Sequence, residues 1–192
     1  MGRLVVSEFV TLDGVIEDPG GAEGFAHGGW AFQFERGPEG DEFKLQETLS
    51  ADALLLGRRT YEGFAAAWPG RTDDAGFAEK MNSMPKYVVS STLESPTWSN
   101  STVIASDLVS TVAQLKHDHD EILVAGSAQL AQALLANGLL DELRLMVFPL
   151  VLGDGRRLFG ESVGQVKLDL LECRQVGAGL LILRYAGTAA EG

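Results

Sequence analysis

Short apolar segments alternate with segments of helical spacing over the first two thirds of the chain. The apolar segments are rich in Val, Ile and Leu and are bounded by Gly, Asp, Ser or Pro. They predict buried strands at 3–10, 52–57, 86–91, 101–105 and 121–126. Between them, apolar residues recur near a helical period at 41–50, 60–68, 107–118 and 127–138. Gly138 is suitably placed to end the last helix. This alternation predicts an α/β fold with a mostly parallel central sheet flanked by helices.

The last third of the chain contains strand patterns without helical segments between them. These strands are predicted at 142–153, 166–175 and 179–187. The last two flank the sequence VGAG, which is typical of a hairpin connection, so we expect an antiparallel C-terminal hairpin. We expect one domain over residues 1–187 and a frayed tail at 188–192. The Gly-rich segment 11–38 shows neither pattern, and a loop of that length is usually functional or mobile.

Composition narrows the class of protein. The 192 residues are 45% hydrophobic and 22% charged, as in a globular domain, and the formal net charge is -12. An acidic chain does not attract nucleic acid or anionic lipid through its overall field, so local groups must hold any anionic ligand. A single Cys173 excludes an internal disulfide, which favours a cytoplasmic protein. No apolar run is long enough to span a membrane, and HDHDE at 117–121 is interpreted as a polar turn without a metal.

The sequence LLLGRRTYEGF at 54–64 places two cations where a strand is predicted to turn into a helix. That turn would lie at the carboxyl edge of the sheet, where α/β folds bind ligands. The helix N-terminus offers free N–H groups, Gly57 permits close approach, and Arg58 and Arg59 can bind oxyanions. Taken alone, the motif is better explained by two solvated arginines on a turn.

A second element repeats this design. In EILVAGSAQLAQALL a strand is followed by Gly126, Ser127 and a helix, so two helix N-termini would meet at one edge and straddle a pyrophosphate. Neither turn has the spacing of the Rossmann fingerprint. Between them, KYVVSSTL ends a strand in Ser90, Ser91 and Thr92. Their hydroxyls can meet a ribose or its 2′-phosphate, or they are ordinary turn residues.

With the segments TLDG, DALLLGRRTYE, KYVVSST, EILVAGSAQL and FPLVLGDGRRLF in this order, the chain resembles the dihydrofolate reductase-like superfamily. Within it, the chain is similar to the RibD C-terminal domain group of riboflavin-biosynthesis reductases and their stand-alone bacterial relatives. The resemblance covers nearly the whole chain and implies that fold and an NADPH cofactor. It implies that the cofactor is bound by Gly57, Arg58, Arg59, Thr60, Ser90, Ser91, Thr92, Gly126, Ser127, Ala128 and Gln129. The loop after the first strand would close over the nicotinamide.

The chain departs from the fused riboflavin enzyme in two respects. From its length and single cysteine we expect no zinc deaminase domain, and the arginine-rich helix typical of pyrimidine reductases is replaced by DEFKLQETLS. In dihydrofolate reductases this helix carries a carboxylate, and the matching spacing indicates Asp41. Asp41 or Glu42 could therefore bind a pterin-like amidine or relay a proton. The alternative is that they are helix-start acids that complement the dipole.

Six further residues are candidates for the site. Asp13 is a second possible catalytic carboxylate, or the residue of an Asx turn before Gly14. Trp30, with Phe32 and Phe34, could form a stacking wall for a flat heterocycle, although aromatic residues in loops more often pin the loop to the core. Arg156 could reach a substrate phosphate, as could its neighbour Arg157, or both are solvated charges.

The function expected from this pattern is NADPH-dependent reduction of a small heterocyclic substrate of pyrimidine or pterin type. The example that the resemblance suggests is reduction of 5-amino-6-(5-phosphoribosylamino)uracil. The alternatives are a nucleotide- or flavin-binding protein without turnover, and a true dihydrofolate reductase. We also expect a homodimer, because the related stand-alone domains pair and because the apolar C-terminal strands would otherwise leave an unprotected sheet edge or face.

Overall fold

The computed structural model describes residues 1–160 and 163–187; the tail expected at 188–192 lies outside them. The strands are β1 Arg3–Thr11, β2 Ala53–Gly57, β3 Lys86–Val89, β4 Ser101–Ile104, β5 Glu121–Val124, β6 Glu142–Phe148, β7 Leu168–Val176 and β8 Leu180–Gly187. The helices are α1 Gly37–Ser50, α2 Arg58–Ala67, α3 Phe77–Ser83, α4 Leu108–Asp118 and α5 Ala128–Ala136, with a 3-10 turn at Trp30–Gln33. No helix among the described residues is long and apolar enough to cross a membrane.

The described strands form one sheet in the order β4-β3-β2-β5-β1-β6-β8-β7. The pairs from β4 to β6 are parallel, whereas β8 runs antiparallel to both β6 and β7. The predicted α/β class, the mostly parallel sheet and the C-terminal hairpin are therefore confirmed. Gly138 follows α5 with a φ of 63°, as a helix-ending glycine does.

Alternate residues of the strands build the core on the two faces of the sheet. Leu4 and Val6 of β1 pack with Ile122 of β5 and Leu134 of α5. Val5, between them, belongs to a second cluster with Leu54 and Leu56 of β2, Tyr61 and Trp98. Neighbouring residues of a strand point to opposite faces of the sheet. Because both faces are covered here, the strands need nearly continuous apolar runs.

Several element boundaries differ from the sequence prediction by one to five residues. Strand β6 ends at Phe148 rather than 153, because Pro149 cannot donate to the ladder. Strand β1 extends to Thr11, and helix α1 begins at Gly37 rather than 41. Helix α3 was not predicted. It spans only seven residues, and the carboxylate of Asp73 accepts the N–H groups of Ala75, Phe77 and Ala78 at its start.

The Gly-rich segment after β1 is held by a buried carboxylate. Asp18 is 2% exposed, and its oxygens accept the N–H groups of Glu23 and Phe25, while its carbonyl accepts those of Gly21 and Gly29. The indole of Trp30 donates to the carbonyl of Glu17. These bonds fold the segment back against the sheet, so that it forms one wall of the cleft described below.

Candidate functional site

The turns after β2 and β5 touch each other at the carboxyl edge of the sheet. Because these strands are neighbours in the sheet, their following residues meet, and the N–H of Gly57 donates to the carbonyl of Gly126 over 3.2 Å. A Cβ on Gly57 would lie 2.3 Å from Oγ of Ser127, and a Cβ on Gly126 would lie 2.7 Å from Oγ1 of Thr60. The two glycines thus allow the turns to pack in direct contact.

Both turns lead into helices whose first N–H groups are open to a ligand. Helix α2 follows Gly57 and helix α5 follows Ser127, and neither cap residue makes a side-chain hydrogen bond to its helix. The first N–H groups of an uncapped helix, together with the positive end of the helix dipole, favour an anion. The sequence-predicted residues Thr60, Ala128 and Gln129 lie at these starts and line the same cleft.

The two arginines of the first turn behave differently. Arg58 is exposed and forms an ion pair of 3.0 Å with Glu62, one helical turn along α2. Arg59 is also exposed but makes no hydrogen bond or ion pair within residues 1–160 and 163–187, and it lines the cleft. Its charge helps to lower the pKa of Glu17, although the hydrogen bond from Arg156 contributes more. Arg59 is therefore the better placed of the two to bind an anionic ligand.

The end of β3 supplies the third turn, next to that of β2. Oγ of Ser90 accepts the N–H groups of Thr92 and Leu93 over 3.2 and 3.0 Å, so this hydroxyl is used to shape the turn. Ser91 and Thr92 are exposed and line the cleft. Oγ1 of Thr92 lies 3.5 Å from Oγ of Ser90, so Ser91 has the hydroxyl that is most available to a ligand and Thr92 keeps a long bond within the turn.

These turns form one end of a cleft of about 1610 Å³. Its other end is walled by the segment after β1 and by α1. The volume exceeds that of a typical site for one drug-sized ligand, so the cleft has room for a dinucleotide and a small second molecule together.

Glu8 is a cleft residue that sequence reasoning missed. It lies on β1 and is 9% exposed, and its Oε1 has no hydrogen-bond partner within the described part of the chain. Burial raises the pKa of its carboxyl to about 8, against a lowering by the backbone of Gly126 and the charge of Lys44. A carboxyl with this environment in a cleft is a candidate functional group.

A second buried carboxylate, Glu47, lies on the inner face of α1. Both of its oxygens are 2.9 Å from Oγ of Ser7, which donates to them, and Nζ of Lys44 is bonded to Oε1. Nη1 of Arg144 lies 4.0 Å from Oε2. Ser7, Lys44 and Glu47, which we call the α1 polar cluster, line the cleft on the side of α1.

The carboxylates predicted on this helix occupy different positions. The side chain of Asp41 is 62% exposed and forms an ion pair of 2.8 Å with Arg36. Glu42 is also exposed, and it accepts a hydrogen bond from Gln46. Both lie at the rim of the cleft, so the expected partly buried carboxylate is not Asp41 or Glu42. Glu47, one to two turns further along α1, has that environment.

Asp13 connects two loops. It accepts a hydrogen bond from Thr11 and the N–H groups of Leu152 and Gly153, over 2.6, 3.2 and 2.8 Å. The bond from Thr11 is the main reason why its pKa falls to about 2. Asp13 is not among the residues that line the cleft. These hydrogen bonds are typical of a carboxylate that shapes a turn, which was the alternative prediction for Asp13, and not of a proton donor.

The predicted aromatic wall is also arranged differently. Trp30 is fully buried against Phe148, with ring centroids 5.1 Å apart, and cannot stack on a ligand. Phe32 and Phe34 line the cleft instead.

Arg156 also lines the cleft, but its guanidinium is bonded to the carboxylate of Glu17. A substrate phosphate would have to compete with that ion pair.

No group of three or more His, Cys, Asp or Glu side chains in residues 1–160 and 163–187 is arranged to hold a metal ion. Of the predicted polar turn 117–121, His117 belongs to the last turn of α4, where it is exposed. His119 follows the helix, and its Nε2 lies 3.0 Å from the hydroxyl of Tyr87.

Comparison with known proteins gives the family. The sequence model of the RibD C-terminal domain matches residues 3–182. The chain belongs to the RibD C-terminal domain family. The uncharacterized proteins YyaP and YwjB of Bacillus subtilis are 26% and 29% identical to it, over 95% and 91% of this chain and 94% and 92% of their own lengths.

Solved structures of similar fold agree with this membership. A protein of Shewanella sp. PV-4, whose name links it to riboflavin biosynthesis, gives a TM-score of 0.76 at 23% identity, covering 97% of this chain and 99% of that one. RibD of Acinetobacter baumannii gives 0.64 at 18% identity over 98% of this chain, which corresponds to 58% of its own. Dihydrofolate reductase of Enterococcus faecalis, complexed with NADP(H), gives 0.62 at 14% identity over 97% of both chains. These likenesses show a dihydrofolate reductase-like fold.

The turn motifs allowed membership of the RibD C-terminal domain family to be predicted. Three acidic residues of this region were not predicted as site residues. Glu8, Asp18 and Glu47 are buried carboxylates. A weak signal existed for Glu8, because an acid within the apolar run RLVVSEFV of a strand buried on both faces requires an explanation.

Proposed function

We propose that this chain is an NADPH-dependent reductase that acts on a C=N or C=O bond of a small heterocyclic substrate. The observation that carries the proposal is the meeting of two uncapped helix N-termini, at Gly57 and Ser127, with Arg59 at one end of a single cleft. Free N–H groups, and a guanidinium that forms no hydrogen bond or ion pair with the described residues, are the donor set that a pyrophosphate requires. The cofactor, when bound, supplies the hydride.

The cleft divides into two parts by chemistry. The turns after β2, β3 and β5 would hold the phosphates and the adenosine half of the cofactor. Ser91, Thr92 and Arg59 favour a 2′-phosphate, and hence NADPH over NADH, because hydroxyls and a guanidinium donate to phosphate oxygens. The opposite part, with Phe34, Leu45 and the α1 polar cluster, suits a flat polar molecule.

The charges in the substrate part support an uncharged heterocycle of pyrimidine or pterin type. Three cations of the cleft already have acidic partners: Arg36 pairs with Asp41, Lys44 with Glu47 and Arg156 with Glu17. Arg71 also lines the cleft, and its guanidinium lies over the ring of Trp68. A phosphorylated substrate such as 5-amino-6-(5-phosphoribosylamino)uracil would have to break one of these pairs or draw Arg71 away from Trp68. The proposal therefore ranks unphosphorylated heterocycles first.

Charge reversal at the first turn tests this function. Arg59→Glu should weaken NADPH binding by more than about tenfold, or about 1.4 kcal/mol. Arg174→Glu is the matched control, because it changes the net charge equally on β7, away from the cleft. Wild-type affinity in Arg59→Glu would contradict the assignment, as would an equal loss in both variants.

A nucleotide- or flavin-binding protein without turnover is the second candidate. It is favoured by one observation: neither predicted catalytic carboxylate, Asp41 or Asp13, is buried in the cleft. Single-turnover NADPH oxidation separates the candidates. The panel comprises folate, dihydrofolate and 5-amino-6-(5-phosphoribosylamino)uracil, and methotrexate identifies reduction of the dihydrofolate type. A wild-type protein that binds NADPH but oxidises it with none of them favours the second candidate.

A further inference from the structure

Glu8 occupies the junction between the two parts of the cleft. Strand β5 pairs with β1 only as far as Val6, and beyond that residue no strand of the described part of the chain pairs with β1 on the β5 side. Ser7 and Glu8 are the first residues past this split, and both line the cleft. Ser7 projects toward α1, where it meets Glu47. Glu8 projects to the opposite face with Val6 and Val10, beside the backbone of Gly126.

The carboxyl of Glu8 is buried and incompletely satisfied. An unpartnered buried oxygen costs free energy comparable to a lost hydrogen bond, so its presence at the wall of a ligand cleft points to a partner supplied by the ligand. The other acids lack this feature. Both oxygens of Glu47 accept from Ser7, Asp41 is exposed, and Asp13 does not line the cleft.

The charges that face Glu8 do not favour its ionised form. Lys44 approaches from α1, but it is bonded to Glu47, whose negative charge also faces Glu8, and Glu23 adds a third acid from the segment after β1. Burial, helped by the charges of Glu47 and Glu23, outweighs the lowering by the backbone of Gly126 and by Lys44 and raises the pKa of Glu8 to about 8, so the carboxyl carries a proton at pH 7.

We propose that Glu8 is the catalytic acid of the reduction. This role rests on the proposed reductase function. As the substrate carbon accepts a hydride from reduced nicotinamide, the O–H bond of Glu8 breaks and its proton forms an N–H or O–H bond on the adjacent heteroatom. Glu8 is left as a carboxylate and the C=N or C=O bond is reduced; a bound NADPH would supply the two electrons and leave as NADP⁺. Water reprotonates Glu8 when the product leaves the cleft.

The test compares Glu8→Gln with wild type and with the control Glu39→Gln, an exposed residue of α1 that does not line the cleft. The glutamine keeps the shape and neutrality of a protonated glutamate but has no proton of comparable acidity. NADPH affinity should stay within about twofold, whereas single-turnover hydride transfer should fall by about 100-fold or more. The probe is whichever of folate, dihydrofolate and 5-amino-6-(5-phosphoribosylamino)uracil the wild type reduces.

A second measurement needs no substrate. The infrared difference spectrum between wild type and Glu8→Gln at pH 7 should contain the C=O band of a protonated carboxyl, which disappears as the pH rises above 8. Hydride transfer in Glu8→Gln within about threefold of wild type would overturn the assignment, and so would a missing band at pH 7. A wild type that binds no NADPH, or reduces none of the probes, would instead overturn the reductase function, and this role of Glu8 with it.

Discussion

Replacing Glu8 by Gln should stabilise the protein at neutral pH. In the unfolded chain the carboxyl titrates near 4.5, whereas burial raises its pKa to about 8 in the folded protein. Folding at pH 7 therefore requires the uptake of a proton. A difference of one pKa unit corresponds to about 1.4 kcal/mol, so the penalty at pH 7 is on the order of 3 kcal/mol.

The sign of the pH dependence follows from the raised pKa. The contribution of Glu8 to stability is fully present below pH 4.5, where both states are protonated, and is lost as the pH rises through about 8. Glu8→Gln removes this titration. The variant should match the wild type at pH 4.5 to within about 1 kcal/mol and exceed it at pH 7 by up to about 3 kcal/mol.

Urea unfolding followed by circular dichroism, at half-unit steps from pH 4.5 to 8.5, measures this difference. Groups that titrate in both proteins cancel when the two free energies of unfolding are subtracted, so the remaining slope belongs to Glu8 and to the charges that face it, Lys44, Glu47 and Glu23. A difference that stays constant over this range would show that Glu8 is already ionised in the folded protein, and the reasoning would fail.

Three further outcomes are expected. Asp13→Ala should lower the free energy of unfolding by about 1–2 kcal/mol in chemical denaturation at pH 7, because two N–H groups lose a charged acceptor, and Asp13→Asn should lose less. Gly57→Ala should weaken NADPH binding and lower the melting temperature, because the added Cβ would force Ser127 away. Gly63→Ala, with open space at its Cβ in α2, should raise the melting temperature. A higher melting temperature for Gly57→Ala than for Gly63→Ala would contradict the close packing of the turns. Light scattering at micromolar concentration should give the mass of a homodimer, since edge strand β7 exposes Leu170 and Leu171; a monomer mass would refute this.

The sheet and its turns could be predicted because their signals are local. Apolar runs of strand length, separated by helical periods, indicated the parallel sheet, and Gly57 and Gly126 marked the turns at its edge. The start of α3 could not be found in this way, since the carboxylate of Asp73, which binds three N–H groups there, lies four residues before the helix.

The candidate site was only partly predictable for a different reason. Whether an acid is exposed at a rim, as Asp41 is, or buried against a serine, as Glu47 is, depends on how α1 packs on the sheet. The same holds for Trp30, which the sequence placed in the loop but which packs in the core. The role of Glu8 depends on where β5 ends beside β1, and neither strand reveals that alone.

Titration of the wild-type protein with NADPH and with NADH, followed by nicotinamide fluorescence, tests the central claim most directly. The account predicts saturable binding of NADPH that is at least about tenfold tighter than that of NADH, since Arg59, Ser91 and Thr92 offer donors to the additional phosphate. Equal affinities would remove the role assigned to these residues, and no binding of NADPH would contradict the proposed function.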